Sequence, residues 1–83
     1  MICKQGTKIN DQQESIILKN PNGEHFQVSY TTHMVWQMLD GETELETIAT
    51  KMSTIADVKQ DQMQELVEEI VVGLKNVDLI KGA

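Results

Sequence analysis

Apolar and polar positions divide the chain into a strand-rich first part and a helical remainder. Residues 7–10 and 15–19 have the composition of strands, and the three consecutive apolar residues of the second suit a central strand that is covered on both faces. Residues 20–23, Asn-Pro-Asn-Gly, form a turn signal, because proline presets one inner backbone angle and glycine accepts angles that other residues avoid. Residues 24–28 alternate between apolar and polar. The pattern predicts a three-stranded antiparallel meander.

Three helices are predicted after the strands, and each has a signal for its first turn. A serine, threonine or aspartate there accepts a bond from a free backbone N–H, and a glutamate or glutamine three residues later completes a capping box. The predicted caps are Ser29 or Thr31 for the first helix, Thr43 with Glu46 for the second, and Asp57 with Gln60 for the third. The first helix is expected to end at about Leu39, and the third, 58–76, is the longest.

The third predicted helix has one continuous apolar stripe. At 100° per residue its apolar side chains fall within an arc of roughly 140°. They are Met63, Leu66, Val67, Ile70, Val71 and Leu74. Strands followed by helices predict an α+β fold of winged helix-turn-helix type, with a three-stranded antiparallel sheet and then three helices. At this length we expect one domain, residues 1–83, in which 1–6 are mobile.

Charge narrows the class of partner. Seven lysines face thirteen carboxylates, which gives a net charge of −6, and the chain has no arginine. Nucleic-acid binding relies on basic patches, in which arginine is the favoured reader of guanine and phosphate. The balance therefore favours a protein or peptide partner over nucleic acid. No membrane span or secretion signal is evident, so the expected location is the cytoplasm.

The sequence offers no constellation for catalysis. The only side chains that titrate near neutrality are His25 and His33, and neither has a nucleophile or an orienting group at a recognisable spacing. The single cysteine, Cys3, excludes a disulfide within the chain and an all-cysteine metal site. No glycine-rich loop follows a strand. We therefore predict no enzymatic activity, no catalytic residue, no cofactor and no metal.

Two features favour peptide binding. The third predicted strand has no proline or lysine to blunt it, so it is expected to form an open sheet edge with unpaired backbone groups. The third helix is more apolar than a small sheet requires. An open edge beside an apolar helix is the geometry for strand addition, in which main-chain bonds hold an extended peptide.

The ordered set of motifs resembles the PqqD-like family. The motifs are Ile17-Leu18, the run Asn22-Gly23-Glu24-His25-Phe26-Gln27-Val28-Ser29, the helix end Val35-Trp36-Gln37-Met38-Leu39-Asp40-Gly41, the pattern Thr43-x-Leu45-x-x-Ile48-Ala49, and the apolar positions from Met63 to Leu74 before Leu79-Ile80. The similarity covers nearly the whole chain from about residue 7. Three positions depart from the family pattern: Ser29 replaces an asparagine, Leu66 an aspartate and Asp78 a glycine.

The resemblance implies a recognition element for the leader of a ribosomally made, post-translationally modified precursor peptide. In that family the leader adds as a strand to the third strand and lies against the third helix. The implied peptide-binding residues are Glu24, His25, Phe26, Gln27, Val28, Met63, Leu66, Val67 and Ile70. The implied partner is a processing enzyme. A leader peptidase of a lasso-peptide pathway is favoured, and a radical-SAM peptide modifier, as in pyrroloquinoline quinone synthesis, is the alternative.

Other functions stay open at this point. A winged-helix fold permits DNA binding, although the charge opposes it. A folded partner could instead contact the acidic helix face of Glu65, Glu68 and Glu69. An open edge also permits two copies to pair through residues 24–28, so the chain is expected to be a monomer or an edge-paired dimer.

Overall fold

The structure, a computed structural model, describes residues 2–9 and 16–82. Its elements are β1 (Cys3–Lys4), β2 (Thr7–Lys8), β3 (Ile16–Lys19), β4 (His25–Val28), α1 (Tyr30–Met38), α2 (Leu45–Ala56), α3 (Gln60–Asn76) and β5 (Ile80–Lys81). A three-stranded antiparallel sheet of β2, β3 and β4 precedes three helices, so the predicted α+β fold is confirmed.

The sheet has the predicted meander order, β2-β3-β4. Leu18 lies opposite Phe26, and Ile16 lies opposite Val28. Ile16 and Leu18 are buried and Ile17 is partly buried, which fits the central position that the apolar run of β3 predicted. The predicted first strand is shorter than expected, since β2 covers Thr7–Lys8. Asn10, with which that strand was expected to end, and Ser15, at the start of the next one, lie outside the described residues.

The turn between β3 and β4 forms where the sequence predicted it. The Gly23 N–H donates to the Asn20 carbonyl at 3.0 Å, and Gly23 has a φ of 88°, which a residue with a side chain rarely adopts. The Asn20 side chain is buried, and its Oδ1 accepts from the backbone N–H groups of Asn22 and Glu24. The turn is therefore closed by backbone and side chain together.

The N-terminal segment makes backbone hydrogen bonds to distant parts of the chain, while the expectation that 1–6 are mobile stays a prediction. Strand β1 pairs antiparallel with β5, so Cys3 lies opposite Lys81. The Lys4 N–H donates to the Leu39 carbonyl at 2.7 Å, and the Gln5 N–H donates to the Leu79 carbonyl at 2.9 Å. These bonds connect residues far apart in sequence, which local patterns do not predict.

One predicted helix cap is confirmed and two are wrong. Ser29 caps α1, because its Oγ accepts from the Thr32 N–H at 3.1 Å. Thr43 does not cap α2; its hydroxyl donates to Asp40 Oδ2, whose carboxylate gathers the turn before the helix. Asp57 ends α2 in a left-handed conformation, with a φ of 54°, and so cannot begin α3.

The C-terminal end of α3 keeps a turn that the Asp78 departure had put in question. The Leu79 N–H donates to the Leu74 carbonyl and the Asp78 N–H to the Lys75 carbonyl, the paired bonds that commonly close a helix before a left-handed residue. Asp78 takes that position with a φ of 58°. Aspartate tolerates this conformation better than most residues, so the turn forms without glycine.

The core lies where the helices meet β3 and the C-terminal segment. Its fully buried side chains include Leu18, Leu39, Ile48, Met52, Met63, Leu79, Val35 and Val67. The Trp36 indole N–H donates to the Leu79 carbonyl at 2.9 Å, which joins α1 to the chain that follows α3. Burial of these side chains is the main stabilising contribution.

Candidate functional site

The outer edge of β4 is open in the described part of the chain. β4 is the last strand of its sheet, and no described strand pairs with its other side. Its residues are His25, Phe26, Gln27 and Val28. The strand itself contains no proline or lysine, the residues that commonly prevent another strand from pairing with an edge.

The pairing register shows which backbone groups face this open edge. The Asn20 N–H donates to the Glu24 carbonyl at 2.9 Å, so Glu24 is directed toward β3. Residues of an antiparallel strand alternate in direction, so Phe26 and Val28 also bond to β3. The N–H and C=O groups of His25 and Gln27 point the other way. The edge therefore offers two donors and two acceptors to an incoming strand.

The side chains of β4 divide between two faces. Phe26 and Val28 are half-buried and pack against the core. Glu24, which precedes the strand, and His25 and Gln27 within it are exposed. The inner face thus holds the strand on the domain, while the outer edge stays accessible.

The four expected residues of α3 do not share one environment. Met63 and Val67 are buried, at 1% and 0% exposed, and belong to the core. Leu66 is 39% exposed, and Ile70 is partly buried against the core. Of this set, the structure leaves Leu66 and part of Ile70 in reach of a ligand.

Leu66 and Ile70 belong to a row of residues that we name the outer stripe: Leu66, Ile70, Gly73 and Val77. Spacings of four, three and four place these positions above one another on one side of α3. The opposite flank of the buried face adjoins α2, where the Gln60 side chain donates to the Thr50 hydroxyl at 2.8 Å. The outer stripe therefore lies away from α2.

One side chain places the β3–β4 turn beside the outer stripe. Asn20 Nδ2 donates to the Val77 carbonyl at 2.9 Å and to Glu24 Oε1 at 3.1 Å. The start of β4 therefore lies near the C-terminal end of the stripe. Phe26 and Val28 share the core with Ile70. The start of β4 and the C-terminal end of the outer stripe are therefore neighbours.

Two surface depressions of the described residues lie elsewhere. One is lined by Glu46, Gln60, Asp61 and Gln64 between α2 and α3, and the other by Glu65, Glu68, Glu69 and Val72 along α3. Both are lined mainly by carboxylates and amides, and neither includes a residue of β4. Strand addition needs an accessible edge rather than an enclosed cavity, so the candidate site does not depend on either depression.

Two titratable groups of the described chain, His33 and Asp40, have shifted pKa values. Among residues 2–9 and 16–82, no three His, Cys, Asp or Glu side chains are grouped so that they could hold a metal ion. His33 is buried against Trp36, with ring centroids 6.0 Å apart, and its Nε2 has no hydrogen-bond partner in the described chain. Burial, with Lys8 and Lys4 nearby, lowers the pKa of His33. Hydrogen bonds from the Glu42 and Thr43 N–H groups lower the pKa of Asp40.

Three contributors to this surface were not predicted from the sequence. Gly73 and Val77 complete the outer stripe; the helical period includes both positions, but Gly73 has no apolar side chain and Val77 follows the predicted end of the helix. Asn20 was recognised only as a turn residue. Its bond to Val77 spans 57 residues and has no local signal.

Comparisons with known proteins agree with this architecture. No curated protein matches the chain. A solved structure described as TbiB1 in complex with the TbiA(beta) leader peptide matches with a TM-score of 0.80 and 16% sequence identity, over 99% of this chain and 95% of that chain. At this identity the match shows a shared fold. No helix among the described residues is long and apolar enough to cross a membrane.

The family comparison covers most of the sequence. Residues 14–80 match the family described as Coenzyme PQQ synthesis protein D. The match includes β3, β4, all three helices and the residues of the outer stripe. The chain therefore belongs to the PqqD family.

Proposed function

We propose that this chain binds the leader segment of a ribosomally made precursor peptide as an added strand on β4, and that it acts by binding rather than by catalysis. The observation that carries the proposal is the open edge, where the backbone groups of His25 and Gln27 face outward. The family match and the likeness to a protein solved with a leader peptide support it.

The geometry gives each part of the site a separate task. Backbone bonds to His25 and Gln27 would fix the register of the peptide without reading its sequence. Side chains on one face of the added strand would then meet the outer stripe of α3, where Leu66 is exposed and Ile70 is partly buried. Sequence preference would come from this contact.

Such a module works by raising the local concentration of a substrate at an enzyme. The chain would hold the leader and contact the enzyme, leaving the rest of the precursor free to react. The net charge of −6 favours a leader that carries basic residues. Nucleic acid is disfavoured by the same charge.

The proposal also includes the type of enzyme that the chain serves. We favour a leader peptidase of a lasso-peptide pathway, on the motif resemblance of residues 35–41, with the cytoplasm as the place of action. A radical-SAM peptide modifier is the alternative, and the family description, which names coenzyme PQQ synthesis, favours it. Co-purification of the chain with each enzyme type encoded near its gene would separate the two.

The strand-addition mode can be tested at Gln27. Gln27→Pro removes an N–H that faces the open edge and none that bonds to β3, so the fold should tolerate it. Loss of the bond and the bulk of the ring should weaken peptide binding by about tenfold to a hundredfold. The probes are synthetic peptides that tile the short reading frames beside the gene, and the measurement is isothermal calorimetry.

Gln27→Ala is the matched control, because it removes the side chain and keeps the N–H. We expect it to bind within about twofold of the unaltered chain. Equal affinities for the proline and alanine variants, with circular dichroism showing both folded, would rule out strand addition on β4.

The assembly state is part of the same proposal. We expect a monomer when the peptide is bound, because the edge that could pair two copies is then occupied. Sedimentation of the free and the peptide-bound chain tests this. A dimer that persists at saturating peptide would place the interface elsewhere.

A further inference from the structure

The fold of the free chain does not explain why residue 73 is a glycine. It lies inside α3, is exposed, and is not among the glycines with a positive φ. A Cβ built at this position would meet no atom within 4 Å. Glycine inside a helix costs about 1 kcal/mol relative to alanine, so the fold alone would favour a larger residue.

The position of Gly73 suggests what the missing side chain leaves room for. It lies on the outer stripe, one turn after Ile70 and one turn before Val77. Both of these neighbours are partly buried apolar residues. The Asn20 bond to the Val77 carbonyl puts the β3–β4 turn at this end of the stripe. The bare backbone at Gly73, which we name the notch, therefore lies next to two apolar residues near the start of β4.

We propose that Gly73 is a specificity-determining residue, and that its notch receives a large apolar side chain of the peptide added to β4. The inference rests on the proposed function and adds a requirement to the ligand. Residues of an added strand alternate in direction, so every second side chain faces the helix. One of these, aliphatic or aromatic, would lie over the Gly73 backbone between Ile70 and Val77.

Substitution of Gly73 by alanine should change the stability of the chain and its affinity for the peptide in opposite directions. Gly73→Ala should raise the melting temperature by a few degrees through helix propensity, and should lower peptide affinity by about fivefold because the methyl group occupies the notch. Gly73→Leu should lower affinity by about a hundredfold or more. The probes are the tiling peptides that bind the unaltered chain, measured by calorimetry and thermal unfolding.

Val72→Leu is the matched control. Val72 is 59% exposed beside Glu65 and Glu68, away from the outer stripe, so the added bulk should leave affinity unchanged. A second arm alters the peptide instead. Replacing its notch-facing apolar residue with alanine should weaken binding to the unaltered chain and partly restore binding to Gly73→Leu.

The outcomes distinguish this proposal from the one on which it depends. If Gly73→Ala is more stable and binds the probe with unchanged affinity, the notch is empty and the inference is overturned, while strand addition stands. If no peptide binds the unaltered chain, the proposed function fails first. If the peptide scan finds no large apolar position whose loss is compensated in Gly73→Leu, the side-chain assignment is wrong.

Discussion

At the scale of single residues, the Asn20 amide determines where the candidate site lies. Its side chain is 2% exposed and makes four hydrogen bonds, two through each end of the amide. Its bonds to Asn22 and Glu24 close the turn, and the bond to the Val77 carbonyl joins that turn to α3. A buried amide is stable only when its donors and acceptors are paired, so this residue fixes β4 relative to the helix.

The lowered pKa of His33 predicts that the free energy of unfolding depends on pH. Burial and the nearby Lys8 and Lys4 hold its pKa below the ordinary value of 6.5. The unfolded chain therefore takes up this proton at a higher pH than the folded chain does. The contribution of His33 to the free energy of unfolding is therefore fully present above about pH 6.5. It decreases as the pH falls from there toward the pKa of His33 in the folded chain.

Chemical denaturation between pH 7.5 and pH 5 measures this effect, and the expected result is a falling free energy of unfolding. His33→Gln should flatten the slope, because glutamine does not titrate. An unchanged slope in that variant would assign the pH dependence to other groups.

At the scale of elements, α3 combines two roles in one helix. Its buried face carries Met63, Val67 and Leu74 into the core, and the outer stripe beside that face stays accessible. The polar face is mostly carboxylate. One helix can therefore stabilise the domain and contact a ligand, because these tasks use different angular sectors of the same cylinder.

A charge placed on the outer stripe should block binding. Leu66→Glu puts a carboxylate where an apolar contact is expected, and we predict a loss of affinity of at least about tenfold. Since Leu66 is 39% exposed, the free energy of unfolding should fall by only about 1 kcal/mol.

Val72→Glu is the control, because it adds the same charge to the same helix at a residue that is 59% exposed on the polar face. Its peptide affinity should stay close to that of the unaltered chain when calorimetry compares the two. A similar loss in both variants would indicate a general charge effect and no contact at Leu66.

At the scale of the whole molecule, the two ends of the described chain are paired with each other. β1 pairs with β5, and the Gly41 N–H donates to the Ile2 carbonyl. The Lys4 ammonium lies 5.3 Å from the centre of the Trp36 ring. The N-terminal segment thus covers one end of the core formed by α1 and the C-terminal residues, on a different part of the domain from the open edge.

Deletion of residues 2–5 should therefore destabilise the domain. Each lost backbone bond contributes on the order of 1 kcal/mol, so we expect a decrease of about 2–4 kcal/mol in the free energy of unfolding. For a domain of this size that corresponds to a fall of roughly 10 °C or more in melting temperature. Unchanged thermal unfolding would mean that the pairing of β1 with β5 adds no stability.

The sequence by itself determined the three strands of the meander, the three helices and their order. Residue composition predicted β2 and β3, alternation predicted β4, the helical period predicted α3, and the Asn-Pro-Asn-Gly run predicted the turn between β3 and β4. These features depend on residues within a few positions of one another, where backbone preference and apolar spacing act directly. The motif resemblance gave the family for the same reason, since it compares local patterns in order.

Only the tertiary structure decided which apolar residues of α3 are core and which are accessible. Met63 and Leu66 belong to one stripe in sequence, yet one is 1% exposed and the other 39%, because α1 and α2 pack against particular sides of the helix. Thr43 does not cap α2 because its hydroxyl bonds to Asp40, and Asp57 does not cap α3 because it ends α2. The pairing of β1 with β5 joins segments more than 70 residues apart, and such contacts are selected by the packing of the whole chain.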